Sequence, residues 1–159
     1  MKVRSVHKFD TGQMADLLNE IIAQGGTTAI TTPVSKDILW DWISEGGSRA
    51  AWHVAEHDDQ IVGFQWIGAK DGLPEEACDI ATFVRIGQTG LGIGSKLFDA
   101  TRAAALELGY VWINATIRTD NNSGLTYYQS RGFRDVEVIH GIELANGQIV
   151  DKVRKRFDL

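Results

Sequence analysis

One stretch limits the fold more than any other. The β-rich run Cys78 to Ile86 leads into a glycine-rich turn, Gly90, Leu91, Gly92, Ile93, Gly94 and Ser95, and the turn opens a helix. Leu97, Thr101, Ala104, Ala105 and Leu108 share one face of that helix, Gly109 ends it, and Val111 to Ile117 reads as a second strand. Strand, helix, strand in this order implies a parallel crossover, so the chain must build a sheet with helices packed on it. The turn also exposes backbone N–H groups at the positive end of a helix dipole, an environment that suits a diphosphate. Two nucleotide readings fail on the letters. A P-loop needs Gly-Lys-Ser/Thr, and here Gly94 is followed by Ser95 and then Lys96. A dinucleotide fold needs the loop after its first strand and an acidic residue closing the next, whereas this loop is mid-chain and the next strand ends Ile117-Arg118. A tight turn with no ligand is the remaining alternative.

Around this unit the chain alternates helix and strand signals. Lys2 to Lys8 reads as a strand, Asp10 and Gln13 have capping-box spacing, and Met14, Leu17, Leu18, Ile21 and Ile22 recur at helical intervals up to Gly25. Pro33 and Ser35 start a second amphipathic helix through Ile38, Leu39, Trp42 and Ile43. Ala50 to Gly68 reads as a hairpin turning at His57, Asp58 and Asp59. A short helix spans about Asn121 to Arg131, and two last strands flank Asn146-Gly147. Those strands present either a free edge or the seam of a homodimer. Lys152, Arg154, Lys155 and Arg156 alternate with apolar residues and read as a solvated strand face.

The 159 residues, 43% of them hydrophobic, suit a single domain spanning 1–159. A net charge of -5 argues against a nucleic-acid partner. Neither a signal peptide nor a membrane span is visible, and the one cysteine, Cys78, forms no internal disulfide, so the expectation is a cytoplasmic protein. Cys78 reads as a small buried thiol, and the histidines as structural. No set of His, Cys and carboxylates has metal-ligand spacing, so no metal is expected.

Downstream of the glycine turn lies NNSGLTYYQSRGF, in which Asn121 and Tyr128 are about two helical turns apart and would share a face. Together with TGLGIG one strand earlier, this pattern resembles the GNAT superfamily of N-acetyltransferases, over Cys78 to Phe133 for its diagnostic part. Within it, the stretch from Leu17 to Ile43, with its threonine-rich connection, resembles the phosphinothricin and methionine-derivative acetyltransferase branch. Thr89 stands where the superfamily usually has glutamine or arginine.

The resemblance implies an α/β fold: a mixed, mostly antiparallel central sheet of about seven strands, helices on both faces, and a parallel fourth and fifth strand splayed to admit coenzyme A. It implies that backbone at Phe83 and Val84 pairs with the pantetheine arm. Thr89, Gly90, Leu91, Gly92, Ile93, Gly94 and Ser95 would receive the pyrophosphate, Asn121 would bond the pantetheine, and Tyr128 would sit beside the thioester sulfur. The implied activity is acetyl transfer from acetyl-CoA to the primary amine of a small molecule, such as an amino acid or its derivative, by direct attack. An amine attacks only when unprotonated and the thiolate must then be protonated, so two groups are needed. Tyr128 suits the acid, and Asp79, where the branch usually has a glutamate, is the candidate to take the ammonium's proton. Tyr127, on another helical face, reads as packing. The loop AKDGLPEEA has only Lys70 as a cation beside Asp71, Glu75 and Glu76, which points to an acceptor of low negative charge. Two other functions fit the same letters: a non-catalytic acyl-CoA sensor, and a protein N-acetyltransferase.

Overall fold

The structure is a computed structural model that describes residues 1–88 and 91–159. Strands β1 (Lys2–Ser5), β2 (Ala51–His57), β3 (Gln60–Gly68), β4 (Ala77–Val84), β5 (Trp112–Arg118), β6 (Arg134–Glu143) and β7 (Ile149–Asp158) form one sheet in the order β1-β2-β3-β4-β5-β7-β6. Every neighbouring pair is antiparallel except β4 and β5. Helices α1 (Thr11–Gln24) and α2 (Lys36–Glu45) cover one face, and α3 (Ile93–Glu107) and α4 (Asn122–Ser130) the other. This is the architecture the sequence led us to expect.

Two-sided cover explains why the middle strands are apolar on both faces. On one side Met14, Leu17, Leu18 and Leu39 pack on Val54 and Phe64. On the other, Phe98, Ala105, Tyr128 and Phe133 pack on Ile67, Cys78, Ile80 and Ile113. The β2–β3 hairpin turns on Asp58 and Asp59 at φ 51° and 61°, the left-handed pair that matches the twist of the strands. Ser35 caps α2 by accepting from the Ile38 N–H at 3.1 Å.

The start of α1 differs from the expected capping box. Asp10 is buried and spends its carboxylate on the Arg4 guanidinium, at 2.8 Å through two bonds, and on the His7 N–H at 2.7 Å. Gln13 instead accepts from the Ile61 N–H at 2.8 Å, tying α1 to β3. A cation beside a buried acid outcompetes a local cap. Strand β1 stops at Ser5, earlier than expected, because Lys8–Asp10 turns into a 3₁₀ segment. The basic run in β7 is not a solvated face either. Lys155 is buried against Asp135, and Arg154 reaches Glu137 and the Asn114 side chain.

The feature that makes a site is a fork. β4 and β5 pair only through Ala77↔Trp112, Cys78↔Ile113 and Asp79↔Asn114. Past that point each strand stays bonded to its outer neighbour, β4 to β3 and β5 to β7, while the two separate from one another.

Candidate active site

The fork opens into a cleft of about 710 Å³ that runs between β4, β5 and the first turns of α3 and α4. Val84 and Phe83 pair with Gly63 and Phe64 of β3, but their other backbone edge has no β5 partner and faces the cleft. Such an edge is a template for an extended ligand. Gly92, Ile93, Gly94 and Ser95 line the same cleft at the start of α3. Gly92 takes φ 68°, the left-handed conformation that a side chain resists. A Cβ on Gly94 would lie 2.6 Å from the Tyr127 ring, so this position is closed to larger residues by packing. Leu91 is 43% exposed and does not line the cleft. The sequence candidates Thr89 and Gly90 lie outside the described residues.

Asp79 and Asn114 are the last pair before the strands part, so both stand in the crotch of the fork. The Asn114 side chain donates to Asp79 Oδ1 at 3.0 Å, and Lys70 Nζ lies 3.5 Å from Oδ2. Burial pushes the Asp79 carboxyl above the usual range, against the opposing pull of Lys70 and Asn114. Tyr128 comes from the opposite side of the sheet. It is 7% exposed, packs edge-on against Phe133 at 5.1 Å, and its hydroxyl is 2.8 Å from Thr82 Oγ1. Burial raises its pKa, so the phenol keeps its proton through neutral pH. The charge of Asp79 also opposes the ionisation of Tyr128.

Two residues of this segment do more than the letters indicate. Asn121, which lines the cleft together with Tyr128, is also the N-cap of α4: Oδ1 accepts from the Gly124 N–H at 3.0 Å and Nδ2 donates to the Thr27 carbonyl at 3.0 Å. It borders the cleft and pins the α1–α2 connection to α4 with both ends of its amide. Tyr127 is more than packing. Its hydroxyl donates to the Gly94 carbonyl at 2.7 Å and accepts from Gln65 Nε2 at 3.1 Å.

Several groups in the cleft escaped the sequence reading. Arg131 Nη1 donates to Ser95 Oγ at 2.8 Å, bringing a cation to the glycine turn. Lys152 of β7 reaches the cleft half-buried. Its pKa is lowered by burial and by the nearby charges of Lys70 and Arg118. Arg118 is itself held by Asp120 at 2.8 Å and 2.9 Å and by the Thr28 carbonyl. Cys78 faces the core with its thiol pushed up to about 12, first by burial and then by Asp79, which makes it a poor nucleophile.

The pattern of the acetyltransferase (GNAT) domain family matches residues 48–135, more than half of the chain. The chain belongs to the GNAT acetyltransferase family. Over its whole length it is 26% identical to YwnH of Bacillus subtilis (strain 168), a protein named as a candidate phosphinothricin acetyltransferase, and the match covers 95% of that protein. Among solved structures it is similar to a GNAT phosphinothricin acetyltransferase of Sinorhizobium meliloti in complex with acetyl-CoA. That match has a TM-score of 0.89 and 18% identity over 99% of this chain and 88% of that one. It is similar also to a ribosomal-protein-alanine N-acetyltransferase of Brucella melitensis, with a TM-score of 0.90 and 19% identity over 100% of both chains. At these identities the structural matches speak to the fold, which this acetyltransferase shares with them. No helix among the described residues is long and apolar enough to cross a membrane.

Proposed function

We propose that this acetyltransferase moves the acetyl group of acetyl-CoA to the primary amine of a small molecule, an amino acid or its derivative, by direct attack of the amine. The observation that carries the reading is the placement of Asp79 and Tyr128 on opposite sides of the fork, one a carboxylate among cations and the other a protonated phenol in an apolar wall. Acetyl-CoA is supported by the cleft and by two relatives of this fold, from Sinorhizobium meliloti and Salmonella typhimurium, solved with it.

In this reading the pantetheine arm pairs with the open edge of Phe83 and Val84. The pyrophosphate rests on the N–H groups of the glycine turn, with Arg131 supplying positive charge. The acetyl carbon then reaches the point where β4 and β5 part, beside Asp79 and Asn114. Asp79 accepts a proton from the incoming ammonium, directly or through water. The freed amine attacks the carbonyl, and a backbone N–H on the open edge of β4 stabilises the oxyanion. As the C–S bond breaks, Tyr128 gives its proton to the sulfur.

Lys152 favours an acceptor that carries an anion. Its side chain makes no hydrogen bond or ion pair among the described residues, and burial, together with its charged neighbours Lys70 and Arg118, disfavours its protonation. A carboxylate seated there relieves that repulsion while the acceptor's ammonium faces Asp79, which revises the expectation of a weakly charged acceptor. The deciding experiment is release of free thiol from acetyl-CoA in a panel of amino acids, their sulfone and sulfoximine derivatives, polyamines and a basic peptide. Turnover confined to the amino-acid group supports the proposal. Tight acetyl-CoA binding with no product would instead point to a sensor, and turnover of the peptide alone to a protein acetyltransferase.

A further inference from the structure

Tyr128 is held by a chain of neutral groups that reaches from the middle of the sheet to the glycine turn. Gln65 is fully buried on β3. Its Nε2 donates to Thr82 Oγ1 at 2.8 Å and to Tyr127 Oη at 3.1 Å. Tyr127 in turn donates to the Gly94 carbonyl at 2.7 Å. That last bond fixes the direction of the two Gln65 bonds, because a backbone carbonyl only accepts. The single Tyr127 proton is spent on Gly94, so its oxygen must accept from Gln65, which sets the amide with nitrogen toward both hydroxyls. A reversed amide would press its carbonyl oxygen against the lone pairs of Tyr127. Thr82 therefore already accepts one hydrogen bond, and its own proton is free for Tyr128 Oη, 2.8 Å away. With Thr82 as the donor of this bond, Tyr128 keeps its own proton unspent on the wall of the cleft it lines.

From this arrangement we infer that Thr82 is a positioning residue for acid catalysis. Its hydroxyl turns the Tyr128 proton toward the leaving sulfur and stabilises the phenolate left when that proton departs. The inference rests on the role proposed for Tyr128. The balance is simple: the C–S bond breaks, its electron pair stays on sulfur, sulfur takes the phenol proton, and the oxygen anion is held by the Thr82 hydrogen bond until a proton returns from solvent. Hydrogen bonds to charged oxygens are stronger than those to neutral ones, so the Thr82 contact is worth more after transfer than before.

A double-mutant cycle tests it, with single-turnover acetyl transfer from acetyl-CoA to L-methionine sulfone as the main readout and hydrolysis of the thioester by water as an acceptor-independent one. Thr82→Val should lower the rate about tenfold with acetyl-CoA affinity unchanged, and Thr82→Ser should restore most of it. In a Tyr128→Phe background Thr82→Val should cost nothing further, because the group it acts through is gone. Additive losses, or failure of Thr82→Ser to restore the rate, would assign Thr82 a packing role and overturn the inference while leaving Tyr128 as the acid. No loss on Tyr128→Phe alone, or no turnover by the unaltered protein with either readout, would overturn the parent reading and this inference with it.

Discussion

The two sides of the fork solve different electrostatic problems. Toward α3 and α4 the wall around Tyr128 is apolar, and the polar groups there, Gln65, Thr82, Tyr127 and Tyr128, are neutral and linked in a hydrogen-bonded chain, with the Arg131 cation set apart at the glycine turn. Toward α1 and α2 the groups are charged: Lys70, Asp79, Arg118 and Lys152. A neutral wall keeps a phenol protonated, whereas in the proposed reading a charged wall would let a carboxylate accept a proton and would face a zwitterion. Strand β4 serves both, since successive residues point to opposite faces: Thr82 one way, Asp79 the other.

The sharpest way to break this division is Tyr128→Phe. Single-turnover transfer should fall about 100-fold or more, while calorimetry finds acetyl-CoA affinity within about twofold of the original. A matched loss of affinity would move Tyr128 from chemistry to binding. Asp79→Asn should cost about tenfold or more in kcat/KM at neutral pH and remove the acid limb of the pH profile. The same change should stabilise the protein. Because the folded carboxyl titrates above its unfolded value, the folded state binds more protons between the two, and stability falls as pH rises through that window. Above the window the cost of the buried anion is fully present, so its removal should raise Tm at pH values above that window. A variant that is both inactive and less stable would contradict the assignment.

Lys152→Met tests the charged side alone. KM for carboxylate-bearing acceptors should rise about tenfold with kcat little changed, and polyamines should be unaffected. An equal effect on both groups would remove Lys152 from acceptor recognition. The smallest effect is expected from Ser35→Ala, which strips the α2 cap on the same side of the sheet without touching the fork. It should cost about 1 kcal/mol in denaturant unfolding and leave turnover unchanged. Loss of activity there would mean that the charged side depends on α2 more closely than the contacts imply.

What the letters carried, and what they did not, follows the same division. The strand, glycine turn, helix and strand of β4, α3 and β5 were legible because each signal is local, and Asp79, Gly94 and Tyr128 came with them. The polar chain behind Tyr128 was not. Gln65 and Tyr127 meet across 62 positions of sequence, and only the register of β3 against β4 turns Gln65 and Thr82 to the same face. Lys152 looked like one more residue of a basic strand, and it takes the pairing of β7 with β5 to bring it beside Arg118 in the cleft. Asn121 was found for its spacing from Tyr128, but its side chain turned back to cap the helix, aided by Gly124. A Cβ there would sit 2.5 Å from the Asn121 amide.

The buried thiol of Cys78 has a practical consequence for every assay named above. It is the one cysteine in the chain, fully enclosed and with its pKa pushed up to about 12, so a thiol-reactive dye added to the folded protein should register the coenzyme released in turnover with almost no background from the polypeptide. The same isolation makes Cys78 a built-in clock. Its rate of alkylation measures how often the sheet opens at the root of the fork, and a bound ligand that braces β4 against β5 should slow that rate in proportion to its occupancy.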